Sequence, residues 1–250
     1  MKYLLKKSAL AAVAMVSLGS AQAATITFDA GLDTSSAPFA PLIAHGSALF
    51  QSGFLIAGMS NGSSPSPTNL VGALVDGSNL ADTCVGGIVC PTGDSTTFYA
   101  SLDDGYLYLA EESDTGKLFS INSFSGAFLG NGVDPISTSS AAGFIRIQGV
   151  RADGSSLSQD FILGPATSTG ATSFASFTTS GAFATTNFQY AYIFGFYCAS
   201  TGGCTNAFTN NKGQFALDDL SVTAVPEPTT WGLMGLGLAG IAAVRRRRDA

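Results

Sequence analysis

Between its two ends the chain has almost no positive charge. From Ala24 to Val225 the only basic residues are Lys117, Arg146, Arg151 and Lys212, set against 15 acidic ones, a net charge near −11. The whole-chain value of −6 conceals this, because seven of the 11 basic residues sit at the extreme ends. A body of that sign has no basic patch with which to release counterions from phosphates, which excludes nucleic acid as a partner. The single tryptophan, Trp231, also lies outside this stretch, so a sugar-stacking surface there would fall to the tyrosines. His45 is the only histidine. Beside Pro41 and Gly46 it reads as a surface loop residue, and a Ser-His-Asp triad is not expected. No internal stretch keeps a 3.6-residue apolar period over three turns, which excludes a helical bundle.

The ends are more informative. Lys2, Lys6 and Lys7 precede an apolar run from Ala9 to Leu18, followed by Ala21-Gln22-Ala23. A charged n-region, an apolar h-region and an A-x-A site make a secretory signal peptide over residues 1–23, with signal peptidase cutting between Ala23 and Ala24. At the other end Val225-Pro226-Glu227-Pro228 leads into 14 uncharged residues, Trp231 to Val244, and then Arg245, Arg246, Arg247 and Arg248. Two prolines forbid a helix and force their preceding residues into extended geometry. As a helix the 14 residues span roughly 21 Å, short of a ~30 Å hydrocarbon core unless snorkelling arginine stems extend it. The arginines set orientation, with the C-terminus cytoplasmic and the body outside the inner membrane. This three-part tail, residues 225–250, resembles the PEP-CTERM sorting signal recognised by exosortases. The resemblance implies cleavage near Pro226-Glu227-Pro228 and delivery to the cell surface or to extracellular polysaccharide.

The body, residues 24–224, is long enough for one sizeable core. Cys84 and Cys90, and Cys198 and Cys204, form two pairs of equal spacing. Export permits disulfides, and of the three connectivities open to four cysteines local pairing is expected, because Gly86-Gly87 and Gly202-Gly203 let each short loop close. Zinc is disfavoured by the loose spacing and the lack of an accompanying histidine. Strand signals recur between turns: Thr25–Asp29, Ala48–Ala57, Thr96–Tyr99, Tyr106–Ala110, Leu118–Phe124, Gly143–Arg151, Leu157–Leu163, Phe183–Phe188, Tyr190–Tyr197 and Gln214–Val222. Thr96–Tyr99 and Tyr106–Ala110 are expected to pair around Asp103-Asp104-Gly105, residues 65–90 to form a long loop, and Leu157–Leu163 to be the hairpin partner of Gly143–Arg151. The fold class is all-β, an antiparallel β-sandwich. Phe119-Ser-Ile-Asn-Ser-Phe124, Ile147–Gly154 and Gln214-Phe-Ala-Leu-Asp-Asp-Leu-Ser-Val222 together resemble the jelly-roll domains of PEP-CTERM proteins, the last with the QFxxD pattern of one subgroup at Gln214, Phe215 and Asp218.

Three site readings follow. In carbohydrate-binding jelly rolls a last-strand Asp meets a first-strand residue at a structural calcium, so the likeness implies calcium at Asp218 and Asp219 with Asp29; the alternative is an Asp that bonds loop backbone. Tyr106 and Tyr108 share one strand face, the geometry of a carbohydrate-stacking strip, with Tyr99, Tyr190, Tyr192 and Tyr197 as further candidates; the alternative is cross-strand packing. Asp103, Asp104, Glu111, Glu112 and Asp114 contain enough carboxylates for a glycosidase pair, but Glu111 and Glu112 are expected on opposite faces of a strand in a solvated hairpin. The overall expectation is a non-enzymatic exported surface or matrix protein with an interaction or structural role. A calcium-supported carbohydrate-binding module is the alternative, and a glycoside hydrolase the third reading. Substituting Pro226 and Pro228 together by alanine is expected to leave the protein in the inner membrane; fractionation showing normal release would refute the sorting assignment.

Overall fold

Gly143-Phe-Ile-Arg-Ile-Gln-Gly-Val150 alternates, and the strand it forms buries Ile145 and Ile147 while Phe144, Arg146 and Gln148 turn to the other side. Its expected hairpin partner, Ser156–Leu163, pairs with it in unbroken register from Val150↔Ser156 to Gly143↔Leu163. The turn is held by Asp153, whose Oδ1 accepts from the Ser155 amide at 2.9 Å and hydroxyl at 2.6 Å, an Asx turn completed by Gly154 at φ +80°. The same alternation builds the rest of the chain. The structure is a computed structural model and describes residues 23–29, 41–62, 66, 68–84, 87–112, 116–130, 136–138, 140–168, 170–199 and 203–225. The contacts gather Gln22–Val225 into one compact unit. Residues 1–22 of the expected signal peptide (1–23) and the tail from Pro226 onward lie outside the described residues.

Fourteen strands occur in chain order among the described residues: β1 Ala23–Ile26, β2 Leu42–Ala44, β3 Ala48–Gln51, β4 Phe54–Ser60, β5 Leu70–Asp76, β6 Thr97–Ser101, β7 Gly105–Glu111, β8 Phe119–Phe128, β9 Gly143–Val150, β10 Ser156–Leu163, β11 Ala175–Thr178, β12 Tyr190–Cys198, β13 Cys204–Asn206 and β14 Phe215–Ala224. Three single-turn helices, α1 Leu80–Thr83, α2 Gly181–Ala184 and α3 Ala207–Asn210, interrupt them. One sheet, A, has the order β11-β8-β14-β6-β5-β2, with β1 also on β14. The other, B, has the order β10-β9-β12-β7-β4-β3, with β13 on β12. Every named strand pair is antiparallel, so the expected sandwich is what forms. Its core lies between the sheets, with Ile26, Tyr99, Phe124, Phe215, Leu217 and Val222 of sheet A against Ile56, Leu109, Ile145, Ile147, Phe161 and Ile193 of sheet B.

The two outer faces differ. On sheet A, Ala73↔Ala100, Ala100↔Ala216 and Ala216↔Ala127 are cross-strand partners, a row of methyl side chains across four strands. Small side chains let a layer lie close on the sheet, and Leu80, Cys84, Ile88 and Cys90 pack there with Phe98, Leu129 and Phe174. The Cys84–Cys90 disulfide closes this covering segment, and Cys198–Cys204 ties β13 to β12, both as expected. Sheet B has no such cover among the described residues.

Several expectations are corrected. Ala48–Ala57 is a hairpin, because Ser52 and Gly53 both take positive φ (56° and 82°) in the two-residue turn that matches strand twist. Residues 65–90 contain β5, whose run of buried residues reads as a strand with both faces covered. β6 and β7 do not pair: β6 joins β5 and β14 in sheet A, and β7 joins β4 and β12 in sheet B, so Asp103-Asp104 is a crossover between sheets. Phe183–Phe188 is α2 followed by one bridge, Phe188↔Phe119, rather than a strand. An Ala100→Leu substitution is expected to push the covering segment off the alanine row and to destabilise the fold by about 1–3 kcal/mol, read as a lower urea midpoint at unchanged slope.

Candidate functional site

β7 and β12 pair with Tyr108 directly opposite Tyr192, and Tyr190 opposite Ala110. On β12 the residues Tyr190, Tyr192, Phe194 and Phe196 all face away from the core, every second position. Tyr106 and Tyr108 share that side of β7, as expected. The result is a connected set of rings. Tyr108 lies 5.7 Å from Tyr190 and 5.9 Å from Tyr192; Tyr106 lies 5.7 Å from Tyr192 and 5.6 Å from Phe208; Phe208 lies 5.1 Å from Phe194, and Phe194 5.7 Å from Phe196. Phe196 stacks on Phe144 at 4.1 Å. Arg146 covers Phe196 with its guanidinium 4.9 Å from the ring centre, and is held there by Asp160 through two bonds of 2.6 and 2.7 Å. The expected Tyr106–Tyr108 strip is therefore part of a cross-strand aromatic network.

A cleft of about 280 Å³ opens in this face, lined by Asn61, Tyr106, Gln148, Tyr192, Phe194 and Phe208. Burial and the charge of Asp104 raise the Tyr106 phenol, and burial with the neighbouring Tyr190 and Tyr106 raises that of Tyr192. Both stay neutral hydrogen-bonding groups at neutral pH. Of the other tyrosines, Tyr99 is fully buried in the core with its hydroxyl donating to the Val71 carbonyl at 3.1 Å, and Tyr197 packs toward Phe128. Neither belongs to the face. Phe144, Phe194, Phe196, Phe208, Asn61 and Gln148 escaped sequence reading. The period-2 aromatic run of β12 carries the signal for two of them; Phe208 comes from α3 and Asn61 from the loop after β4, which only tertiary structure brings in.

The acidic residues of the last strand sit at a seam. β14 pairs with β6 at Ala216 and Leu217, then with β1 from Leu220 to Thr223. Between these partners its register slips, and Asp219 adopts φ +49°. Asp218 is fully buried and Asp219 exposed. Thr96 donates toward Asp218 Oδ2 at 2.9 Å and toward Asp94 Oδ1 at 2.6 Å. Burial pushes the pKa of Asp218 up to about 8. Asp218 Oδ1 has no protein partner. Asp29 lies beyond the end of β1 rather than on it, its Oδ1 accepting from the Thr97 amide at 2.9 Å. Burial and the charges of Asp94 and Asp29 raise Asp219 as well. Among the described residues no three His, Cys, Asp or Glu side chains converge as a metal-holding group.

The remaining carboxylates divide. Asp104 Oδ2 accepts the Ser60 hydroxyl at 2.7 Å. Glu111 pairs with Lys117 at 3.4 Å, and with Glu112 it lines a separate cleft of about 540 Å³. Gly58-Met59-Ser60-Asn61-Gly62 has the form Gly-x-Ser-x-Gly, a motif that sequence reading passed over. It ends a strand instead of joining strand to helix. Ser60 directs its hydroxyl to Asp104, and His45 Nδ1 accepts the Ser60 amide at 2.9 Å; the three residues meet without the nucleophile-to-base bond of a triad. At the ends of the body, Ala23 lies opposite Thr223 and Ala24 opposite Val222, and the Val225 amide donates to the Leu118 carbonyl at 2.8 Å. The first and last described residues of the body therefore lie at one end of sheet A. Ala21, Pro226, Glu227, Pro228 and Arg245–Arg248 lie outside the described residues.

Residues 224–248 match the PEP-CTERM protein-sorting motif (PEP_exosort_dom). The chain thus carries the tail that directs export and membrane-associated sorting. No curated protein matches the sequence. Among solved structures, a family 29 carbohydrate-binding module is similar at 8% identity over 73% of this chain and 89% of that one, TM-score 0.33. A family 16 carbohydrate-binding module is similar at 10% over 60% and 84%, TM-score 0.26. The arabinose-bound MgGH51 α-L-arabinofuranosidase is similar at 8% over 74% and 29%, TM-score 0.35. Overlaps this small carry no weight for function.

Because the folded state holds the Asp218 proton more tightly than the unfolded chain does, stability linked to this group is complete below about pH 4 and is lost as pH rises toward 8. Thermal midpoints are expected to fall across that window, with a slope of at most about 1.4 kcal/mol per pH unit from this one group. Asp218→Asn is expected to flatten the profile; an unchanged slope would exclude Asp218 as its source.

Proposed function

We propose that this is an exported, non-enzymatic interaction protein that binds glycan at the cell surface or in extracellular polysaccharide through the outer face of sheet B. The domain plan is a signal peptide over residues 1–23, a jelly-roll-like body of the QFxxD type over 24–224 and a sorting tail over 225–250. Signal peptidase and exosortase are its processing partners, and the inner membrane holds it before release.

The connected row of eight rings carries the reading. Six of them, Tyr106, Tyr108, Tyr190, Tyr192, Phe194 and Phe196, stand on two neighbouring strands, and the sandwich leaves their side without the covering layer that sheet A has. Aromatic rings with hydroxyl tips suit sugars, whose C–H faces stack while their hydroxyls take hydrogen bonds. The acidic body disfavours polyanions, and the bonds already made by Ser60, His45 and Asp104 supply no activated nucleophile.

A calcium requirement at Asp29, Asp218 and Asp219 is the second reading. The unpartnered Asp218 Oδ1 favours it, and the hydrogen bonds that occupy Asp29 Oδ1 and Asp218 Oδ2 oppose it. Calcium binds six to eight oxygens, most of which backbone and water would have to provide. The test is binding of the purified protein to the host's extracellular polysaccharide, with calcium and with chelator. Saturable binding that survives chelation and drops on the order of tenfold in Tyr192→Ala, which removes the ring that contacts Tyr106, Tyr108 and Tyr190, is expected. Binding abolished by chelation would establish the calcium reading, and no binding in either condition would reject glycan as the ligand.

A further inference from the structure

Phe208 reaches the aromatic face from outside the sheet. β13 pairs with the end of β12 at Cys198↔Cys204, Tyr197↔Thr205 and Phe196↔Asn206, and α3 turns back from it. The Cys198–Cys204 disulfide closes the excursion, and the Thr209 hydroxyl donates to Asn206 Oδ1 at 2.7 Å within it. This brings the Phe208 ring 5.6 Å from Tyr106 at 81° and 5.1 Å from Phe194 at 35°. Phe208 is thus a side wall standing on a floor of strand residues, and without it the cleft would be open ground.

The lining has a definite chemistry. Four rings offer apolar faces, and Asn61 and Gln148 each offer an amide donor and acceptor. No carboxylate, amine or guanidinium lines the cleft. A charged sugar would be desolvated there without a counter-charge, in a body whose net charge is near −11. At about 280 Å³ the cleft falls below the ~300–1,000 Å³ of pockets for drug-sized ligands, which suits a single ring. Tyr108 and Tyr190 continue the surface beyond it.

Resting on the glycan-binding reading above, we infer that the cleft takes one residue of a neutral glycan, with Phe208 as the wall that selects it and the Cys198–Cys204 disulfide as the brace that positions Phe208. The chain of sugars continues over Tyr108 and Tyr190. Asn61 and Gln148 take hydroxyls of the residue in the cleft.

The test uses full-length protein in detergent, titrated calorimetrically with a soluble β-glucan, a galactomannan and polygalacturonate. Wild type is expected to bind at least one neutral polymer and not polygalacturonate. Phe208→Ala is expected to weaken binding on the order of tenfold, Phe208→Tyr to keep it, and Cys198→Ser/Cys204→Ser to match the loss in Phe208→Ala. Adding Phe208→Ala to the disulfide-free protein is expected to cost nothing more, since coupled residues are not additive. The two Phe208 variants decide the wall even where the disulfide-free protein fails to fold. Neutral-polymer binding unchanged in Phe208→Ala would overturn this inference and leave glycan binding standing. Preference for polygalacturonate would overturn the neutral assignment. Wild type binding no polymer of any kind would remove the glycan reading and this inference together.

Discussion

A row of alanines across sheet A decides which side of the sandwich is available. Ala73, Ala100, Ala216 and Ala127 are cross-strand neighbours, and methyl groups in line leave room for a second layer at contact distance. The segment closed by Cys84–Cys90 fills that room and seals the sheet. Sheet B carries bulky rings at the equivalent outward positions of β7 and β12, and rings there pack sideways on one another. One face is thereby covered, and the other presents its rings without such a layer among the described residues.

The long strand β14 ties the sandwich together and also holds its least comfortable residue. It has β8 along one side and, on the other, β6 and then β1 in succession. Where one edge passes from β6 to β1, the register with β8 on the other edge shifts between Asp218 and Val222. Asp218 is drawn inward, bonded to Thr96 and left with one oxygen unpartnered. A neutral carboxyl is the physical answer to burial among other carboxylates. The seam thus links the first strand, the last strand and solution pH.

β14 also connects the fold to sorting. Its last residues lead into the matched motif, and its C-terminal half pairs with β1, the first strand of the body. Neighbouring strands that run in opposite directions place the start of one beside the finish of the other. Closing the sandwich with β1 on β14 therefore brings the first and last parts of the body to one end, while the aromatic row lies on the other sheet.

Much of this was legible in sequence, and the failures share a cause. Alternation located β9, β10, β12 and β14, because each has one buried and one contrasting face. It missed β5, whose residues are buried on both sides and show no contrast, and it joined β6 to β7, because Asp103-Asp104-Gly105 has the composition of a hairpin turn while burial of Tyr99 and Leu109 in opposite sheets requires a crossover. Tyr106 and Tyr108 were found as a pair by spacing alone. Their company was not, since Tyr192 and Phe194 reach them through strand pairing, and Phe208 and Asn61 from α3 and the loop after β4, remote from each other in the chain. The sequence by itself determined destination, charge, the local disulfides and the all-β class, because sorting signals, composition and short cysteine loops are local properties. Which sheet is covered, where the rings converge and why Asp218 keeps its proton were decided only by tertiary structure, because burial and pairing depend on residues far apart in the chain.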